Sequence, residues 1–186
     1  YYETRDYDRP NSDREFAEYD FRLKHDLTPA DSLFLQVTLA NSSGGNTAQY
    51  YDPADAAAAP FRFEEQQSPI LLAGYHHEWS PGNHTLFLAS RLEDDYSVTN
   101  PFAPTLLVAK DFQTQEVLDI LPLQMGQDYR SRQEIYSAEA QQIWQGAQFT
   151  TIAGALYQHG EFRVQNTQVN SDPDQADLFP EPVAQE

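Results

Sequence analysis

The sequence predicts an all-β chain of antiparallel, up-and-down hairpins, on three observations. One segment alternates strictly between apolar and charged residues. Breaks rich in glycine, proline, asparagine and serine recur where hairpin turns belong. The connections between apolar runs alternate in length, short and then long. Two architectures satisfy this pattern: part of a β-barrel of the outer-membrane type, and a soluble β-sandwich with one wet face.

Glu15 to Leu27 is the clearest element. Ala17, Tyr19, Phe21, Leu23, His25 and Leu27 fall on one face, and Glu18, Asp20, Arg22, Lys24 and Asp26 on the other. A strand has this period of two and a helix does not. Thr28-Pro29-Ala30-Asp31-Ser32 then supplies turn residues. Leu33, Leu35, Val37 and Leu39 share a face of the next strand, and a polar stretch with Asp52-Pro53-Ala54-Asp55 and four alanines follows to about Pro60. Ser68 to Trp79 and His84 to Leu92 form a second hairpin across Ser80-Pro81-Gly82-Asn83, where proline presets φ and glycine takes the positive φ of a type II turn. Residues 93–104 read as a long polar connection, with a short decorating hairpin at 105–110 and 116–121.

The third hairpin carries a conflict. Ser131-Arg132-Gln133-Glu134 fits a capping box and Gly146 a C-terminal cap, so local propensity favours a helix over 132–145. The alternation of Tyr136, Ala138, Ala140 and Trp144 favours a strand instead, with a turn at 145–148 and a partner strand over Phe149 to Phe162. The hairpin context decides for the strand. The chain then divides into an N-terminal extension (1–14), an antiparallel β domain (15–165) and an acidic, proline-containing tail or loop (166–186).

Composition narrows the functions open to such a fold. Eleven Lys+Arg against 29 Asp+Glu give a formal charge of −18, which leaves no basic stripe for nucleic acid and disfavours docking on an anionic leaflet. The chain has no cysteine, hence no disulfide, thiolate metal site or cysteine nucleophile. The longest apolar runs, such as Ile70 to Gly74, fall far short of the ~20 residues of a membrane-spanning helix. Barrels are not touched by that argument. Tyr1 is not a start methionine and no signal peptide follows it, so the chain is expected to be a processed or excised part of something longer.

Connection lengths and tryptophans favour the barrel. Short breaks lie at 28–32, 80–83 and 145–148, and long ones at 41–67 and 93–128. Outer-membrane barrels have short turns on one side and long loops on the other. Trp79 and Trp144 both precede a short turn, where an aromatic girdle would place them. The segments Tyr75-His76-His77-Glu78-Trp79-Ser80-Pro81-Gly82-Asn83-His84-Thr85-Leu86 and Glu134-Ile135-Tyr136-Ser137-Ala138-Glu139-Ala140-Gln141-Gln142-Ile143-Trp144-Gln145, with Phe21 to Pro29 before them, resemble the barrel region of bacterial proteins that carry tetratricopeptide repeats before an outer-membrane β-barrel. The resemblance covers about residues 15 to 165. It implies a barrel that conducts or anchors something, in some relatives an exported polysaccharide, with repeats facing the periplasm.

No catalytic centre, metal site or cofactor is expected. His76 and His77 point to opposite faces of a strand and cannot both bind one metal; His77 and His84 are the pair that would share a face. Glu93, Asp94, Asp95 and Asn100, and separately Asp52 and Asp55, offer oxygen ligands without the spacing of a calcium loop. Glu64-Glu65 is an acid pair of the kind that abundance alone produces. The expectation is a non-catalytic outer-membrane barrel segment for transport, export or anchoring, partnered by the bilayer and by missing strands, a repeat domain or other subunits. The alternatives are a periplasmic or cell-surface β-sandwich binding a glycan-type ligand, and a structural subunit of a surface assembly.

Overall fold

The computed structural model describes residues 1–5, 11–46, 60–175, 177 and 181–185. Eight strands form one antiparallel sheet in strictly sequential order: β1 Tyr2–Arg5, β2 Arg14–Asp26, β3 Asp31–Gly44, β4 Arg62–Ser80, β5 Asn83–Lys110, β6 Val117–Gln145, β7 Thr150–Asn170 and β8 Val183–Gln185. The sheet is open, with β1 at one edge and β8 at the other. A single turn of 3-10 helix, Pro173–Gln175, precedes β8. Among the described residues there is no α-helix and no second sheet.

The expected turns are present. Residues 27–30, 81–82 and 146–149 link β2 to β3, β4 to β5 and β6 to β7. Gly82 has φ +77°, the left-handed value that the turn requires. Residues 132–145 are strand, because every one of them pairs with β5 or β7, or both, in unbroken register; two ladders of hydrogen bonds outweigh one capping box.

Two expectations need correction. The polar stretch at 93–104 is not a loop, and 105–110 is not a separate hairpin: β5 and β6 run on through both and meet at a six-residue connection, 111–116. Polarity on both faces does not prevent pairing when both faces are wet, and Arg91, Glu93, Arg132 and Glu134 add cross-strand ion pairs. The asymmetry between the two ends therefore comes partly from strands that overhang, not from loop length alone. The extension and tail also contribute to the sheet: β1 lies within residues 1–14, β7 continues to Asn170, and β8 lies within the tail. Residues 47–59, with Asp52 and Asp55, lie outside the described residues.

Prolines accompany two of the register shifts inside the long strands. The β4–β5 register shifts between Gln67 and Leu71, around Pro69, and the β5–β6 register shifts between Asn100 and Ala103, at Pro101. Proline has no N–H for the ladder, so a bulge is where it fits.

A conventional core is missing. Among described apolar side chains only Leu123 and Met125 are buried, beneath the segment after β7, where Ser171 Oγ donates to the Pro101 carbonyl (2.9 Å) and Gln175 Nε2 to that of Pro122 (3.1 Å). By contrast Tyr19, Phe21, Leu23, Leu33, Leu35 and Phe87 are exposed. In the half of the sheet near the short turns the alternate face is the less exposed one: Phe34 and Leu88 are half-buried between the exposed pairs Leu33/Leu35 and Phe87/Ala89.

Candidate membrane-facing surface

Register converts strand alternation into surfaces. Phe21 pairs with Val37, Val37 with Leu71, Leu71 with Arg91, Arg91 with Tyr136 and Tyr136 with His159, so these six side chains share one face. On that face lie Tyr19, Phe21 and Leu23 of β2; Leu33, Leu35, Val37 and Leu39 of β3; and Leu71, Ala73 and Tyr75 of β4. Phe87 and Ala89 of β5, Ala138 and Ala140 of β6, and Ala153, Ala155 and Tyr157 of β7 complete it. They form one continuous apolar band across six strands, and no described element covers it.

The band is oblique to the strands. In β2 it centres on Phe21, whose row ends at His159 in β7. In β7 it centres on Ala155, four residues nearer the short turn. At ~3.3 Å per residue and ~4.8 Å between strands, four residues over five gaps make a tilt of about 30°. Along β6 the band is framed by Trp144 and Tyr136, eight residues apart. That is ~26 Å of strand, or about 23 Å across the tilted band.

A polar row separates the band from the turns on the same face. Asp31 accepts hydrogen bonds from Thr28 Oγ1, Tyr75 OH and His77 Nδ1, each at 2.6 Å. These three donors, Thr28 first, hold the Asp31 carboxyl well below the usual carboxylate range. His77 packs edge-on against Trp79, with ring centres 4.3 Å apart. Trp79 Nε1 donates to Thr85 Oγ1 at 2.9 Å, Thr85 donates to Gln142, and Gln142 Nε2 donates to Asn83 Oδ1 at 2.6 Å. Both indoles are on this face beside a short turn and largely open, 66% for Trp79 and 46% for Trp144.

Beyond the other margin of the band the same face is charged. Arg91 pairs with Glu93 and with Glu134 (3.3 Å), Arg132 with Glu93, Arg163 with Glu161 (2.8 Å), and Tyr136 OH donates to Glu134 at 2.6 Å. Further out, a shallow cavity of about 1030 Å³ is bounded by all six long strands, with Ala17, Asn41, Gln66, Asp95, Arg132 and Arg163 facing it. This surface is not among the candidate sites that the sequence points to. In the sequence its signal is the parity of Asp95 and Ser97, within a stretch that reads as a polar connection, and of Arg130 and Arg132 and of Arg163 and Gln165.

The opposite face is mixed. Glu18, Asp20, Arg22 and Lys24 on β2 meet Gln36 and Thr38 on β3, where Asp20 accepts from both (2.9 and 2.8 Å). Phe34, Leu86 and Leu88 line a smaller hollow of about 300 Å³ with Lys24, His76, Glu139 and Gln141. Here the histidine expectation needs correcting. Glu78 pairs with His84, so His84 shares a face with His76, not His77; the imidazoles stack with Nε2 of His76 3.0 Å from Nδ1 of His84.

The acids singled out from sequence do not converge. Glu93 and Asp95 face the arginines, Asp94 lies on the other face, and Asn100 accepts from the Phe102 backbone N–H (3.3 Å). Burial, then the nearby Glu65 charge, pushes the Asp94 carboxyl up. Glu64 and Glu65 point to opposite faces. No group of three or more His, Asp or Glu among the described residues is placed to hold a metal ion. Compared with protein-family models, with curated proteins and with solved structures, the chain returns no match.

Proposed function

We propose that this chain forms a wall section of a bacterial outer-membrane β-barrel, serving passage or anchoring and not catalysis. The observation that carries the reading is the uncovered apolar band. It crosses six strands at about 30° to their normal and is about 23 Å across. Outer-membrane barrels call for strands tilted ~35–45° and an apolar band ~25 Å tall with aromatic girdles. A soluble sheet with such a band would bury it under a second layer, and none lies among the described residues.

The rest of the surface supports the same orientation. The face opposite the band carries the hollow lined by Phe34, Leu86 and Leu88, with Lys24, His76 and Gln141 around it, so the apolar face would be the outer one and the mixed face the lumen. Trp79 and Trp144 with the Asp31–His77 row would mark one headgroup level. The charged row of Arg91, Glu134 and Arg132 would mark the other, and the β5–β6 hairpin would project past it.

The experiment is depth-dependent quenching by brominated lipids, on full-length chains retaining only Trp79 or only Trp144 of the two. Equal, shallow depths are expected. Absence of quenching at any depth, in a chain that stays monomeric without detergent, would refute the membrane reading.

A further inference from the structure

The two edges of the sheet are each half covered, in a way that says what covers the rest. β1 pairs with Arg14–Ala17 of β2, and β8 with Asn166–Gln168 of β7. Among the described residues nothing pairs with the outer edge of β2 from Tyr19 to Asp26, the edge away from β3, or with the outer edge of β7 from Thr150 to Gln165, the edge away from β6. These bare stretches lie level with the apolar band, where lipid offers no partner to backbone N–H and C=O groups.

The covering strands run toward the bare stretches. Tyr1 N donates to the Glu18 carbonyl (2.6 Å) and Glu18 N to that of Tyr1 (2.7 Å). Chain entering at Tyr1 therefore arrives from the side of Asp20 and Arg22. In β8 the pairs run from Val183–Gln168 to Gln185–Asn166, so chain leaving β8 heads toward Gln165 and Thr150. We infer that the bare edges are occupied by polypeptide continuous with β1 and β8, two further strands built onto ladders already begun.

Direction and spacing favour this occupant over a second copy. The extended β1 would run toward the overhanging end and the extended β8 away from it, so the two are antiparallel and can close an eight-stranded ring, the practical minimum. Direct pairing of β7 with β2 of another copy would leave no room for β1 and β8, which add two strand widths, ~10 Å, at the far end. The need for cover rests on the membrane reading; the geometry rests on the ladders alone.

The test is disulfide trapping in full-length protein carrying no other cysteine. The register Tyr2–Ala17, continued one for one, sets the third residue before Tyr1 opposite Phe21. The register Gln185–Asn166 sets the fourth residue after Gln185 opposite Phe162. Cysteine at each such pair should give an intrachain bond, seen as a faster monomer on a non-reducing gel. Moving the flanking cysteine by one residue turns it to the other face and should abolish the bond. Bonds formed only between chains, or a Phe21→Cys/Phe162→Cys bond joining two copies, would overturn the inference. If the cysteine chains fail to fold, amide exchange of the unmodified full-length chain decides: slow exchange at Asp20, Arg22 and Lys24 supports the inference and free exchange overturns it. Intrachain bonds in a chain that needs no detergent would refute the membrane reading and leave the inference standing. A chain held in bilayers without them would do the reverse.

Discussion

Phe21→Arg separates the membrane reading from a wet sheet more sharply than any other single change. Phe21 sits at the centre of the band on β2, with Tyr19 and Leu23 on either side along the strand and Val37 opposite. Its side chain is 57% exposed in the sheet. In water such a position tolerates arginine within about ±0.5 kcal/mol, because little is buried and nothing is left unpaired. At the centre of a bilayer the same change costs about 2–4 kcal/mol, roughly a 30- to 700-fold loss in the folding equilibrium. Arg22→Ala is the internal control. Arg22 lies on the other face, 65% exposed, and among the described residues pairs only with Asp20 on its own strand (2.7 Å), so its loss should stay within about 0.5 kcal/mol. The assay is urea unfolding of full-length protein in lipid vesicles, followed by tryptophan fluorescence. A cost under half a kcal/mol for Phe21→Arg would refute the assignment of this face to lipid.

Three further outcomes follow from local geometry. Gly82→Ala should destabilise the β4–β5 turn by at least about 1–2 kcal/mol in the same titration, since φ is +77° and an added Cβ would stand 2.6 Å from the Gln145 carbonyl oxygen. Asp94→Asn should raise the melting temperature at neutral pH. The folded-state pKa of Asp94 is raised, so its ionised form is a burden above that value, and the gain should fade as pH drops toward ~4; an unchanged melting temperature at pH 7 would contradict the burial. Asp31 has the opposite sign. Its folded pKa is depressed, so its contribution is complete above pH ~4 and lost on further acidification. Asp31→Asn should flatten stability against pH in that acid range, and an unaltered profile would dismiss the Thr28–Tyr75–His77 cage.

What the sequence determined by itself was parity and punctuation. The alternation from Ala17 to Leu27 assigned Phe21 and Arg22 to opposite faces, and Pro81-Gly82 located a turn, because both depend on backbone geometry within a few residues. Six long strands and three short turns were legible for the same reason. The tertiary structure alone decided register. His84 joins His76 and not His77 because the β4–β5 ladder sets Glu78 opposite His84. Residues 93–104 became strand because 124–134 supplied partners, and the charged surface around Arg91 and Arg132 emerged with them. The obliquity of the apolar band, the bare edges of β2 and β7 and the headings of β1 and β8 are likewise sums over many cross-strand pairs. A hydrogen-bond ladder joins residues far apart in sequence, and its offset depends on bulges at Pro69 and Pro101 that no local pattern can count.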